Sequence, residues 1–189
     1  ETAVKGIRNQ NELAQESSEI ADFWSMLQGF QTSGKCIEKA HYRIRYMKSF
    51  RPLSVKEDIE FKEARPILYL NTAAVASLFN SRNAGSTSNR SNWSTIMSYL
   101  KSHASYLGLK QDRFTILLPS GLPDYTIDIV NGEQVKKVKV NRPKALCFDY
   151  LQLKETFGLD LETEVVSEVQ EEMPVEQQHP IKQEELHFR

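Results

Sequence analysis

The chain has 189 residues, of which 40% are hydrophobic and 26% charged. This length suits one domain of ordinary size with tails or two small domains, and the composition excludes a wholly disordered chain. No apolar run approaches the roughly 18 to 20 residues that span a bilayer. The start, Glu1–Lys5, has neither an initiator Met nor a signal peptide. We therefore expect a cytoplasmic protein without a membrane segment, and a piece of a longer polypeptide.

Catalytic and metal-binding motifs are absent from the sequence. Cys36 and Cys147 lie far apart and have no second Cys or His at zinc spacing, so neither a metal site nor a disulfide framework is expected. There is no glycine-rich phosphate loop and no nucleophile motif. A catalytic role for His41 or His103 is weaker than the ordinary interpretation, a surface or hydrogen-bonded core histidine. We expect no enzymatic activity and no cofactor in this fragment.

The net charge of −1 conceals two oppositely charged parts. Residues 160–189 carry nine acids against two basic residues, a net −7, which leaves +6 for residues 1–159. A basic body with an acidic tail is typical of proteins that meet nucleic acid, where the tail competes for the same surface. A solvated surface with a disordered terminus explains the same charges.

The first half of the chain predicts helices and strands in alternation. Residues 1–16 are polar and predict a linker or a frayed helix, and a core helix follows from Ser17 to a stop at Gly34. Apolar residues on one face define that helix: Ile20, Phe23, Trp24, Leu27 and Phe30.

The next segment changes to a period of two. Residues 40–47 predict a strand with a basic face, and 66–70 a short buried strand after a weak one near Ile59 and Phe61. A short helix is predicted at 73–80, a polar turn at 81–91, and a longer helix at 92–107 closed by Gly108. The polar face of that helix carries small hydrogen-bonding residues, one cation and no carboxylate.

The second half predicts a hairpin and a closing strand. Strands are expected at 114–118 and 125–130, and Asn131-Gly132 is a strong signal for a tight turn into 135–140. A closing strand at 145–148 and a helix at 150–157 complete the predicted domain, 17–158. Residues 159–189 predict a disordered acidic tail.

This order of elements predicts an α+β fold, a winged helix-turn-helix with an extra strand pair. In such a fold, helix 92–107 would contact duplex or forked DNA, and the hairpin of strands 125–130 and 135–140 would lie along the DNA backbone. Base readout should be weak because no Arg on the helix face is placed for a bidentate guanine contact. The candidate DNA-binding residues are Arg82, Arg90, Ser91, Asn92, Ser94, Thr95, Ser98, Lys101, Lys136, Lys137 and Lys139.

Two other interpretations remain open. A module for protein docking or homo-oligomerisation would use exposed apolar residues such as Tyr99 or Phe50, with the acidic tail as a second contact. An RNA-binding domain is the third, but the sequence lacks the aromatic sheet face of single-strand modules, for which Tyr42 and Tyr46 could be mistaken.

Short motifs also suggest a family. The segments 66–71, 95–102, 106–108 and 145–150, together with the Phe23-Trp24 pair, resemble the C-terminal region of large primase–helicase-type replication proteins from phages and mobile elements of gut Bacteroidetes. The match covers roughly residues 20 to 155. It implies that any catalytic or ATP-driven part lies upstream in the parent protein. The insertion 121–140 and the acidic tail have no place in that family.

Overall fold

The computed structural model describes residues 2–83 and 91–161, and for residues 2–12 and 83 it describes the backbone alone. The helices and strands, in chain order, are α1 (Thr2–Thr32), β1 (Tyr42–Phe50), β2 (Ile59–Asn71), α2 (Thr72–Asn83), α3 (Trp93–Ser102), β3 (Tyr106–Gln111), β4 (Phe114–Thr115), β5 (Tyr125–Val130), β6 (Glu133–Val138), β7 (Val140–Asn141), β8 (Lys144–Asp149) and α4 (Tyr150–Phe157).

A four-stranded antiparallel sheet, with strand order β1-β2-β8-β3, forms the centre of the fold. Strand β2 is one strand of 13 residues, whereas the sequence predicted a weak strand and a separate short one. Pro66 caused that split prediction, because proline rarely lies inside a strand. It is tolerated here because it pairs with Tyr46 of β1 and lies one residue beyond the segment of β2 that pairs with β8. The α+β class is confirmed.

One face of the sheet is covered by helices. Trp24 of α1 meets Phe148 of β8 edge to face, with ring centres 5.2 Å apart, and Phe23 lies beside it. Leu68 and Leu70 of β2 are fully buried beneath this layer. Burying a large side chain stabilises a fold by roughly 1.5–3 kcal/mol, so this cluster is the main source of stability.

A second, smaller cluster covers the opposite face. It contains Phe50, Ile67, Tyr69, Phe114, Ala145 and Cys147. Phe114 comes from β4, which pairs with β7 below the sheet. The central strands are therefore buried on both faces, and continuous apolar runs such as 67–70 follow from that.

Helix α1 begins at Thr2, so of the two alternatives predicted for residues 1–16, a linker or a frayed helix, the structure has a helix. The prediction placed the helix start at Ser17 because the apolar period begins there. Good helix formers such as Ala, Leu, Gln and Glu favour a helix without such a period. The predicted stop is confirmed, since α1 ends at Thr32 and Gly34 has a φ of +72°.

Helix α3 is shorter than predicted. It ends at Ser102, and residues 106–111 form β3 against β8, so the prediction of a helix to Leu107 was wrong. Leu100 packs in the helix-side cluster, whereas Leu107 packs in the cluster on the opposite face of the sheet. No single helix can reach both faces. Gly108 has a φ of +130° and lies against Pro52 at a bulge rather than at a helix end.

The segment 112–143 leaves the sheet and returns as an arm. Strand β5 has the predicted bounds, and the turn is confirmed by positive φ at Asn131 (54°) and Gly132 (85°). Strand β4 has two residues instead of five, and the returning strand is divided into β6 and β7. We call β5, β6 and their turn the hairpin.

Helix α4 has the predicted bounds, with Asp149 as its N-cap and Gly158 as its left-handed C-cap. Leu159 and Leu161 are buried in the main core, so the folded part extends beyond residue 158. The rest of the predicted tail, 162–189, lies outside the described residues. Within the described ranges no helix is long and apolar enough to cross a membrane.

Candidate nucleic-acid interface

Helix α3 begins with a capping arrangement built from two of the predicted site residues. The side-chain oxygen of Asn92 accepts hydrogen bonds from the backbone N–H of Thr95 (2.9 Å) and from its hydroxyl (3.1 Å). Such a cap satisfies a backbone donor that the first turn would otherwise leave unpaired. Asn92 Oδ1 and the Thr95 hydroxyl therefore stabilise the helix, and the amide nitrogen of Asn92 is the group left to donate outward.

The two faces of α3 differ sharply. Ile96 and Leu100 are buried in the main core. Ser94, Ser98 and Lys101 follow at i, i+4 and i+7 on the outer side, and all three are exposed. We call these three residues the α3 stripe. Helix α3 contains no carboxylate, so the helix itself places no negative charge against a phosphate backbone.

Two charged residues of the described neighbouring helices lie beside α3. Arg82 is exposed in the last turn of α2, which packs against α3. At the other end, Ser102 donates its hydroxyl to the carboxylate of Glu16 on α1. Arg82 thus adds a positive charge on the α2 side of α3, and Glu16 of α1 adds a negative charge at the C-terminal end of α3.

Two predicted contacts lie at or beyond the edge of the described chain. Arg90 falls outside the described residues, as does most of the polar turn 86–91. Ser91 is described and half-buried immediately before the helix. The structure therefore brings Asn92, Ser94, Thr95, Ser98 and Lys101 together on one helix, with Arg82 on the neighbouring helix.

Of the three predicted hairpin lysines, Lys136 and Lys137 lie on β6 of a separate two-stranded sheet and Lys139 directly follows it, and each has a partner. Lys137 pairs with Asp128 (Nζ–Oδ2 3.0 Å) and Lys139 with Asp124 (2.8 Å). The ammonium of Lys136 lies 4.1 Å from the ring centre of Tyr125. Exposed ion pairs of this kind are weak, about 0.2–1 kcal/mol. The two carboxylates nevertheless offset two of the three lysine charges that the sequence alone had suggested.

The basic face predicted for β1 is engaged within the fold. Arg45 pairs with Asp112 at 2.9 Å, and Arg43 donates to the backbone oxygen of Arg113 at 2.9 Å. Arg45 also lies over the ring of Tyr69. These cations hold the arm against the sheet, so they are less available to a ligand than the α3 stripe.

The two described histidines have structural partners. The backbone N–H of Ile37 donates to Nδ1 of His41 (3.0 Å), and burial lowers the pKa of His41. Nδ1 of His103 lies 2.8 Å from the hydroxyl of Ser105, which is fully buried, and burial lowers the pKa of His103 as well. No group of three or more His, Cys, Asp or Glu side chains among residues 2–83 and 91–161 could hold a metal ion.

An open groove of about 660 Å³ lies between the loop after α1 and the base of the arm. Its lining includes Cys36, Lys39, Thr115, Leu117 and Pro123. Cys36 contributes no reactive thiolate, because burial raises its pKa to about 12. The described side chains of this groove bring together no catalytic constellation.

One exposed surface was not predicted from the sequence. Ile127 and Ile129 of β5 are 68% and 76% exposed, and Tyr125 and Val138 beside them are also exposed. Alternating apolar residues predict a strand with an apolar face, but the pattern cannot say whether anything covers that face.

Comparison with known proteins gives no match: no protein-family model, no curated protein and no solved structure is similar to this chain. The resemblance to primase–helicase-type replication proteins therefore stays a prediction.

Proposed function

We propose that this chain is a non-catalytic DNA-binding module of the winged-helix type, with α3 as the helix that meets DNA. The observation that carries this proposal is the strand order β2-β8-β3, with the helix pair α2–α3 between β2 and β3 and the hairpin between β3 and β8. In a winged helix, the strand before the helix pair lies beside the strand that follows the wing. Strand β1 and the longer arm are additions to that plan.

The chemistry of the α3 stripe supports backbone contacts more than base readout. Serine hydroxyls and a lysine ammonium donate to phosphate oxygens without requiring a particular base. The bidentate Arg–guanine contact, which discriminates best, has no candidate on α3. The proposed contact set is Arg82, Asn92, Ser94, Ser98 and Lys101, and Arg90 remains part of it as a prediction from sequence.

The hairpin has a smaller part in this proposal than the sequence suggested. Lys137 and Lys139 would have to exchange carboxylate partners for phosphates, and Asp124 and Asp128 would stay close to the DNA. Lys136 has no carboxylate partner among its described contacts and is the best remaining candidate in the wing. We further propose that the module acts in the cytoplasm within a larger replication or mobile-element protein.

The test is equilibrium binding of the full chain to fluorescent duplex, forked and single-stranded DNA, read by anisotropy. Ser98→Glu places a carboxylate in the middle of the stripe and should weaken duplex binding by about tenfold or more, because a like charge opposes phosphate.

The matched control is Ser25→Glu, which makes the same charge change on the exposed side of α1. It should leave affinity within about twofold, because Ser25 lies on α1 and outside the α3 stripe. Equal losses in both variants, or no binding by the wild-type chain at low salt, would overturn the proposal.

A protein-docking role is the second candidate, and the structure changes its predicted site. Phe50 is fully buried in the second core cluster, and Tyr99 packs against the main core, so neither is the exposed anchor that the sequence suggested. The exposed apolar side chains of the hairpin favour that part of the molecule instead.

A further inference from the structure

We propose that the hairpin joins two copies of this chain by antiparallel pairing of their β5 strands. The inference is independent of DNA binding and rests on three properties of the hairpin: its exposed apolar side chains, its neutral charge and the geometry of its free edge.

The hairpin exposes more apolar surface than an isolated element normally keeps in water. Tyr125, Ile127, Ile129 and Val138 share one face, because Tyr125 and Val138 are opposite each other in the register and β5 alternates from there. All four are at least 40% exposed. A two-stranded hairpin is marginally stable by itself, whereas three or more strands with an apolar face are stable.

The charges of the hairpin do not favour a strongly charged partner. Residues 124–139 contain three carboxylates and three lysines, and two of the lysines are paired with carboxylates of the same segment. The face that carries Ile127 also carries Lys136, whose ammonium lies over the ring of Tyr125. Residues 124–139 as a whole are neutral, and a second copy supplies a matching neutral segment.

The backbone of β5 has a free edge in the described structure, since β5 pairs with β6 alone. The two-residue turn at Asn131-Gly132 makes Val130 and Glu133 a hydrogen-bonded pair, and such pairs alternate along an antiparallel ladder. The residues between them direct their N–H and C=O groups to the free edge: Tyr125, Ile127 and Ile129. Neither lysine nor proline, the usual protection of an edge strand, occurs in β5.

These outward groups define the register of the pairing. Centring it on Ile127 places Ile127 opposite its own copy, Tyr125 opposite Ile129, and Thr126 opposite Asp128. Apolar side chains then face apolar ones, and a hydroxyl faces a carboxylate. Centring the pairing on Asp128 would put the two Asp128 carboxylates opposite each other, and centring it on Thr126 would put Asp124 opposite Asp128. Of these three registers, the one centred on Ile127 opposes no two carboxylates.

The first experiment measures the mass of the full chain by sedimentation equilibrium from about 1 to 100 µM, where weak protein association is resolved. We expect the mass to rise toward twice 21.7 kDa with concentration. Ile127→Lys should keep the chain monomeric. Val135→Lys, on the other face of the hairpin, adds the same charge and should still dimerise.

A thiol crosslink tests the register itself. Ile127→Cys should form a covalent dimer, because directly opposed residues in a hydrogen-bonded pair have Cα atoms about 5.5 Å apart. Ile129→Cys is opposite Tyr125 in this register and should give about tenfold less dimer. The native cysteines are buried and do not interfere. A wild-type chain that stays monomeric throughout, or equal crosslinking of both variants, would overturn the proposal.

Discussion

Thr95 donates two hydrogen bonds to the side-chain oxygen of Asn92, one from its backbone and one from its hydroxyl, and this pair fixes the start of α3. The sequence had assigned both residues to DNA contact. The cap gives them a structural role and leaves the α3 stripe as the surface that faces outward.

The cap predicts separate effects on stability and binding. Asn92→Ala should lower the free energy of unfolding by about 1 kcal/mol, because the first turn loses its acceptor. Asn92→Asp keeps the acceptor and should stay within about 0.5 kcal/mol of wild type, while its negative charge weakens DNA binding. Urea unfolding and anisotropy on the same samples measure the two effects. Parallel losses of stability and binding in Asn92→Asp would show that the cap alone matters.

Two glycines should respond oppositely to the same substitution. A Cβ at Gly108 would lie 2.7 Å from Cβ of Pro52, at a φ of +130°, so Gly108→Ala should destabilise the fold by about 1–3 kcal/mol. Gly29 lies on α1 with nothing within 4 Å of such a Cβ, and Gly29→Ala should stabilise by about 0.5–1 kcal/mol. Thermal unfolding of both variants tests this, and a stable Gly108→Ala would show that the β3 bulge can shift.

Acid should weaken the fold partly through His41. Burial lowers its pKa below the usual 6.5, so the unfolded chain binds more protons between the lowered value and 6.5. The contribution of neutral His41 to the free energy of unfolding is complete above about pH 6.5, and it is lost as the pH falls from 6.5 to the lowered pKa. Protonation would also remove the acceptor that Nδ1 offers to Ile37. Urea unfolding from about pH 7 to pH 5 should show a flatter pH dependence for His41→Gln, and an unchanged slope would contradict this account.

The two cysteines should be unreactive in the folded chain. Both are buried, and burial raises the pKa of Cys36 to about 12 and that of Cys147 further. A chromogenic disulfide reagent at neutral pH should therefore label neither thiol until the protein is unfolded, since the thiolate is the reacting form. Ser25→Cys supplies the positive control, because position 25 is exposed on α1 and lies outside the hairpin. Rapid labelling of the wild-type chain would show that the core cluster around Cys36 or the one around Cys147 opens to solvent.

The sequence correctly predicted the elements whose ends are marked by a local signal, such as a helix cap or a tight turn. Asp149 and Gly158 delimit α4, and Asn131-Gly132 delimits the hairpin, because caps and tight turns depend on residues a few positions apart. Strand β3 was missed for the opposite reason. Leu107 continues the helical spacing of α3, and only pairing with β8, far along the chain, makes it part of a strand.

The candidate site was predictable in part for a similar reason. The buried and exposed faces of α3 follow from spacing, so Ser94, Ser98 and Lys101 were identified correctly as an outer face. The neutralisation of Lys137 and Lys139 depends on cross-strand neighbours, Asp128 and Asp124, which spacing along one strand does not reveal.

The salt dependence of duplex binding tests the central claim, that the α3 stripe contacts DNA phosphates. The logarithm of the binding constant is measured against the logarithm of salt concentration for the full chain, for Lys101→Ala and for Lys56→Ala, an exposed lysine in the loop between β1 and β2. We predict that Lys101→Ala weakens binding to all sequences alike and reduces the slope by about one, while Lys56→Ala leaves it unchanged. An unchanged slope in Lys101→Ala, with binding intact, would contradict the account.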